Sequence, residues 1–193
     1  MAGYADCLAG FIEGLRLDKP HVAGLSFGRA LALGLFRRPQ HPGDADTGVR
    51  TRRVGRLSPA DAAEPRLRQA LALADRSPEE FVRALLPTMF SVGTAPEAVE
   101  ACRETMLAFH PVGFQAMARA SAEDLRDAPP LLDVPTLLIY GDQDVHAPLT
   151  VAEELHAAIS GSELVVLPGV GHVSNVEAPE QSNTEVRTFL HSS

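Results

Sequence analysis

Apolar residues along the chain follow two rhythms. Consecutive apolar positions at 21–25 (HVAGL), 134–141 (VPTLLIYG) and 162–169 (SELVVLPG) predict short strands of a parallel sheet, buried on both faces. Elsewhere apolar residues return every three or four positions, which predicts helices. Tyr4, Leu8, Phe11, Ile12 and Leu15 form one such stripe, with Asp6, Glu13 and Arg16 off it. Ala30, Leu31, Leu33, Leu35 and Phe36 make a helix apolar almost all round, so it and the strand before it read as buried. Between 60 and 127 four helical stretches follow in succession. One starts at Ser77, with Pro78 at the first helical position and a carboxylate nearby; Thr94, Pro96 and Glu97 give a similar start to another. From 134 the order is strand, helix (148–159), strand, helix (177–190), which predicts a right-handed βαβ unit closed by a final helix.

One stretch breaks the rhythm. After Phe36 the chain turns rich in arginine and proline, and its best strand candidate, Gly48 to Val54, is too polar for the centre of a parallel sheet. An edge strand or a loop is the expectation. Met89, Phe90, Met106, Phe109, Phe114 and Met117 are read as packing between the helices, with the lining of an apolar pocket as the alternative.

The junction at Ser26 carries the first candidate chemistry. Gly24 and Gly28 flank it in the pattern G-x-S-x-G, which permits a tight strand-to-helix turn where larger side chains would clash. In such a turn the serine Oγ projects from the sheet, and the Phe27 N–H lies at a helix N-terminus, able to stabilise negative charge. A serine there could equally do no more than cap the helix. Two further strand ends bear polar groups, in the loops Gly141-Asp142-Gln143-Asp144 and Gly169-Val170-Gly171-His172. Ligands of open α/β sheets gather at these carboxyl ends. Asn175 and Glu177 read as caps of the last helix.

Composition narrows the field. With 193 residues, 45% hydrophobic and 22% charged, the chain can bury a real core. A formal net charge of −8 argues against a general nucleic-acid binder, and no apolar run is long enough to span a bilayer. Cys7 and Cys102 form no C-x-x-C pair, so free thiols in a reducing compartment such as the cytoplasm are expected. The start of the chain lacks a basic segment before its apolar stripe and is not expected to be a signal peptide. The seven histidines show no H-x-x-x-H spacing and suggest no metal site.

Taken together, "HVAGLSFGRALAL", "VPTLLIYGDQDVHAPL" and "LVVLPGVGHVSNVEAPE" resemble the α/β-hydrolase superfamily, in particular its lid-bearing esterases, lactonases and C–C-bond hydrolases. The resemblance implies a partial α/β-hydrolase fold, a mostly parallel sheet with flanking helices and a helical lid. Residues 1–57 would form the nucleophile-bearing part of the core, 58–127 the lid, and 128–193 the part carrying acid and base. By the same resemblance Ser26 matches the nucleophile, Asp144 the acid with Asp142 as alternate, His172 the base, and Phe27 N–H an oxyanion donor. His146 is a rival base, discounted because it lies on the acid's own loop.

The implied activity is hydrolysis of small, fairly apolar esters or lactones through a Ser-His-Asp triad, without cofactor. Perhydrolysis or C–C cleavage on the same fold, or a non-catalytic interaction module, are the alternatives. Three departures from the family pattern qualify this. The early strands and their His-Gly loop have no counterpart, as in an N-terminally truncated chain with impaired activity. Residues 39–57 stand where a strand is expected. Arg29 occupies a position that is usually small, where it would either hinder packing or reach outward to solvent. Self-association through an exposed sheet edge is the remaining expectation.

Overall fold

The computed structural model describes residues 1–38, 50–51 and 60–192. Helix α1 (Ala2–Gly14) is followed by strand β1 (His21–Val22), helix α2 (Phe27–Phe36) and strand β2 (Arg50–Thr51). Four helices come next: α3 (Ala60–Ala74), α4 (Pro78–Leu85), α5 (Pro96–Leu107) and α6 (Pro111–Ser121). The chain closes with β3 (Leu137–Gly141), α7 (Leu149–Ala158), β4 (Glu163–Leu167), the single turn α8 (Ser174–Glu177) and α9 (Pro179–Ser192).

Strand β3 explains how the core is built. All five of its residues are buried, and alternate ones serve opposite faces, as the two-residue period of a strand requires. Leu138 and Tyr140 pack with Leu33 of α2 and with Ala152, Leu155 and Ile159 of α7 and its end. Leu137 and Ile139 face the other way, against Leu167, Val170 and Phe189 of α9. A layer of helix therefore covers each side of the strand, and this is why the run LLIYG shows no polar alternation. Shortening a side chain such as Leu138 in this sandwich to alanine costs roughly 2–5 kcal/mol.

β4 pairs with β3 in parallel, Leu138 opposite Leu164 and Tyr140 opposite Val166, as the βαβ reading requires. Both predicted strands are shorter at their starts than their apolar runs. Pro135 has no N–H to give a ladder, and the Thr136 hydroxyl is turned back onto the Val134 carbonyl at 2.9 Å. β1 is likewise reduced to two residues, paired in parallel with Arg50 and Thr51. A fragment of the Gly48–Val54 candidate thus does form a strand, beside the segment that leads to Ser26; the rest of 39–57 lies outside the described residues apart from these two.

The helix-start signals divide. Ser77 and Glu80 form a complete capping box, Glu80 N–H donating to Ser77 Oγ at 3.3 Å and Ser77 N–H to Glu80 Oε2 at 3.2 Å. Helix α5 starts one residue later than its signal suggests, with Ala95 as its cap, and Thr94 is engaged elsewhere. On α1 only part of the bulky stripe is buried. Ala5, Ala9 and Ile12 are buried against α2, while Phe11 and Leu15 are more than half exposed. Small residues win that contact because they allow the two helices to approach closely: a Cβ added at Gly34 of α2 would stand 3.5 Å from the Ala5 Cβ. Phe81, Phe109 and Phe114 form an aromatic cluster, with Phe81 and Phe109 stacked at 4.1 Å, so packing is confirmed for Phe109.

Candidate active site

Ser26 stands between β1 and α2 with φ 53° and ψ −114°, a conformation rare for a residue bearing a side chain. Its hydroxyl makes no cap hydrogen bond to the helix it precedes. The capping reading of this serine therefore fails, because a helix-capping serine has extended backbone and turns its Oγ onto the helix N–H groups. Gly24 makes the turn possible. A Cβ there would lie 2.3 Å from the carbonyl of Gly28, whereas a Cβ at Gly28 would meet nothing within 4 Å among the described residues. Of the two flanking glycines only the first is required by close approach among the described residues.

At the end of β3, Gly141 is equally constrained, since a Cβ on it would lie 2.1 Å from the Val170 carbonyl. This close crossing lets the loop after β3 and the loop after β4 lace together. Asp142 N–H donates to the Leu167 carbonyl at 3.1 Å and Gln143 N–H to the Val170 carbonyl at 2.9 Å. The Asp142 carboxylate accepts the Gly169 N–H at 2.7 Å and so braces the two loops. It is Asp144 that meets the histidine. Asp144 Oδ2 lies 2.9 Å from His172 Nδ1, and Asp144 Oδ1 accepts the N–H groups of His146 at 2.7 Å and Ala147 at 2.9 Å.

Both side chains of this pair are almost fully buried. Burial pushes the Asp144 carboxyl up, but its bonds to the His172 imidazole and to the Ala147 and His146 N–H groups outweigh that and hold it below the ordinary carboxylate range. An ionised carboxylate only accepts, so His172 carries a proton on Nδ1 and turns the other ring nitrogen, Nε2, away from Asp144. Ser26, Arg29, Asp144 and His172 all line one small cavity.

His146 is held differently. The Thr88 hydroxyl donates to the Leu85 carbonyl at 2.7 Å and lies 2.8 Å from His146 Nε2, so His146 must donate from Nε2. Its ring leans on that of His172 at 4.9 Å. Of the two alternatives for Arg29, reaching outward is not the one adopted: it turns in, lining both the small cavity and a larger one. The larger cavity, about 560 Å³, opens beside Ser26 and Phe27 and is walled by Leu73 of α3, Phe114 and Met117 of α6, and Val145. Met117 thus lines the pocket that the sequence offered as the alternative, and Phe114 does both, packing in the aromatic cluster and lining the pocket.

Glu177 does not take the capping role its sequence position suggests. Its carboxylate accepts the N–H groups of Ser91, Gly171 and Val173 instead of serving the last helix, and Asn175 is exposed. No sequence signal could have separated the two roles, since a carboxylate before "AP" is what a helix start also uses. Both cysteines are free, and among the described residues no helix is long and apolar enough to cross a membrane.

Known proteins resemble the chain along most of its length. The profile described as the alpha/beta hydrolase family matches residues 1–184. The AB hydrolase superfamily protein YisY of Bacillus subtilis is 28% identical over 198 residues, covering 97% of this chain and 72% of that protein. A non-heme chloroperoxidase assigned in Synechocystis is 41% identical over 68 residues, which is 35% of this chain and a quarter, 25%, of that protein's length. Among solved structures, a thermophilic esterase from Thermogutta terrifontis, with malate bound, superposes with a TM-score of 0.84 at 29% identity, over 97% of this chain and 71% of the esterase. With its βαβ core, its serine turn and a family match over nearly all its residues, the chain belongs to the alpha/beta hydrolase family.

Proposed function

We propose that the chain carries a serine-hydrolase site for small, fairly apolar esters or lactones, with Ser26 as nucleophile, His172 as base and Asp144 as the acid that orients it. The observation that carries this reading is the strained Ser26, which faces the same cavity as a buried Asp144–His172 pair. Backbone strain is retained where a function needs it, and here it costs on the order of 1–3 kcal/mol. His172 Nε2 removes the Ser26 proton as Oγ attacks the ester carbonyl. The same proton is then given to the departing alcohol. Water, deprotonated by His172 in turn, attacks the acyl-serine and releases the acid, restoring Ser26. The Phe27 N–H, first in α2, would bind the oxyanion. No metal or organic cofactor enters this scheme.

Residues 58–127 act in this reading as a lid over the site, which is supported by the share that α3 and α6 take in the larger cavity. The apolar part of that wall favours an uncharged acyl or alcohol group of modest size. The malate-bound esterase supports ester chemistry, and the partial likeness to a chloroperoxidase keeps perhydrolysis as the second reading. Exposed Phe11 and Leu15 on α1 support self-association of the isolated chain. The test is hydrolysis of p-nitrophenyl acetate by the chain and by its Ser26→Ala variant. Hydrolysis lost in the variant is expected; equal rates would refute the assignment.

A further inference from the structure

Besides Asp142, which holds Gly169 at its start, a second carboxylate outside the triad holds the loop that carries His172. Glu177 Oε2 accepts the Gly171 N–H at 3.0 Å and Oε1 the Val173 N–H at 3.3 Å, so it grips the residue on either side of His172. The same Oε2 accepts the Ser91 N–H at 2.8 Å and lies 2.9 Å from Thr94 Oγ1, in the segment between α4 and α5. A direct bond completes the link, His172 N–H donating to the Met89 carbonyl at 3.0 Å. The two segments are pressed together with no room to spare: a Cβ at Gly171 would lie 2.8 Å from Ser91 N and 2.9 Å from Glu177 Oε1.

We infer that Glu177 is a positioning residue for the base, fixing His172 by tying its loop to segment 89–94 of the helical region. This rests on the serine-hydrolase reading above. The chemistry of the contact demands a carboxylate. Its three backbone partners can only donate, and an acceptor with four lone-pair sites satisfies them together, whereas an amide of the same shape must turn its NH2 toward at least one N–H. His172 is thus held by Asp144 at its ring and by Glu177 through its backbone. Its reach toward Ser26 then depends on where segment 89–94 lies, which makes the helical region part of the catalytic geometry as well as a wall of the pocket.

The experiment compares the full chain with Glu177→Gln and Glu177→Ala, by amide hydrogen exchange and by p-nitrophenyl acetate kinetics. In Glu177→Gln, exchange at Gly171 and Val173, whose N–H groups Glu177 accepts, should quicken about tenfold, as expected for loss of one charge-assisted bond, while Leu138–Tyr140 exchange is unchanged. kcat should fall about tenfold in Glu177→Gln and up to about a hundredfold in Glu177→Ala, with KM nearly constant, since catalysis is sensitive to misplacement near 1 Å. Unchanged exchange at Gly171 and Val173 in Glu177→Gln, or a loss that appears in KM alone, would overturn the role of Glu177. Failure of the unmutated chain to hydrolyse the ester would instead remove the serine-hydrolase reading, and it is seen before any variant is compared.

Discussion

Ser26 joins backbone strain and the proposed chemistry in one residue, and the two can be separated by substitution. Glycine adopts positive φ without penalty, so Ser26→Gly should relieve the turn; after the greater freedom of an unfolded glycine is subtracted, a gain of about 1 kcal/mol remains. For a chain of this size that raises Tm by about 2–4 °C. A thermal melt checks it, and hydrolysis should vanish in the same variant. His172 and His146 can be told apart in the same way. The Nδ1–Asp144 bond leaves His172 Nε2 as the proposed acceptor, while His146 Nε2 is committed to Thr88. His172→Ala should therefore lower kcat/KM by at least about 10³, and His146→Ala should change it little. Asp144→Asn should lower kcat by about 10⁴, since the amide no longer enforces the useful tautomer. Asp142→Asn should leave the rate near that of the unmutated chain, because Asp142 holds a backbone N–H and not the imidazole.

The strand-end loops behave as one unit at the level of elements, because Gly141 and Gly171 let backbone pass over backbone and two carboxylates tie the crossing. Burial raises the Glu177 carboxyl, but the N–H groups of Ser91 and Gly171 and the hydroxyls of Ser91 and Thr94 outweigh it and leave it below its ordinary value, as Asp144 is. A carboxyl depressed in the folded chain adds stability above its unfolded pKa, about 4, and loses it as pH falls through the lower folded value. Tm should therefore fall as the pH drops below about 4, and the fall should be shallower in Glu177→Gln; melts followed by circular dichroism across that range decide it. These ties were invisible in the sequence. The run LLIYG announced a strand buried on both sides, and the glycine loops announced where a ligand would gather, because those signals are local. That Glu177 reaches back to Ser91, that α1 buries its alanines instead of Phe11, and that Arg29 turns inward depend on contacts between segments far apart in the chain.

For the whole molecule, the distribution of apolar surface carries a solution property. Phe11, at 60% exposure, Leu15 and Tyr4 leave an apolar face on α1, and Phe11→Ser should lower the apparent mass of the isolated chain seen by light scattering at high concentration. The central claim, however, is that distant parts of the chain, the turn at Ser26 and the loops at Asp144 and His172, meet to make one nucleophile. A fluorophosphonate probe tests it most directly, because it forms a stable bond to a serine only where the hydroxyl is activated. After reaction with the folded chain, peptide mass spectrometry should find the adduct on Ser26, absent in Ser26→Ala and in chain unfolded beforehand, and strongly reduced in His172→Ala. An adduct on another serine, or labelling of Ser26 that persists undiminished in His172→Ala, would contradict the account.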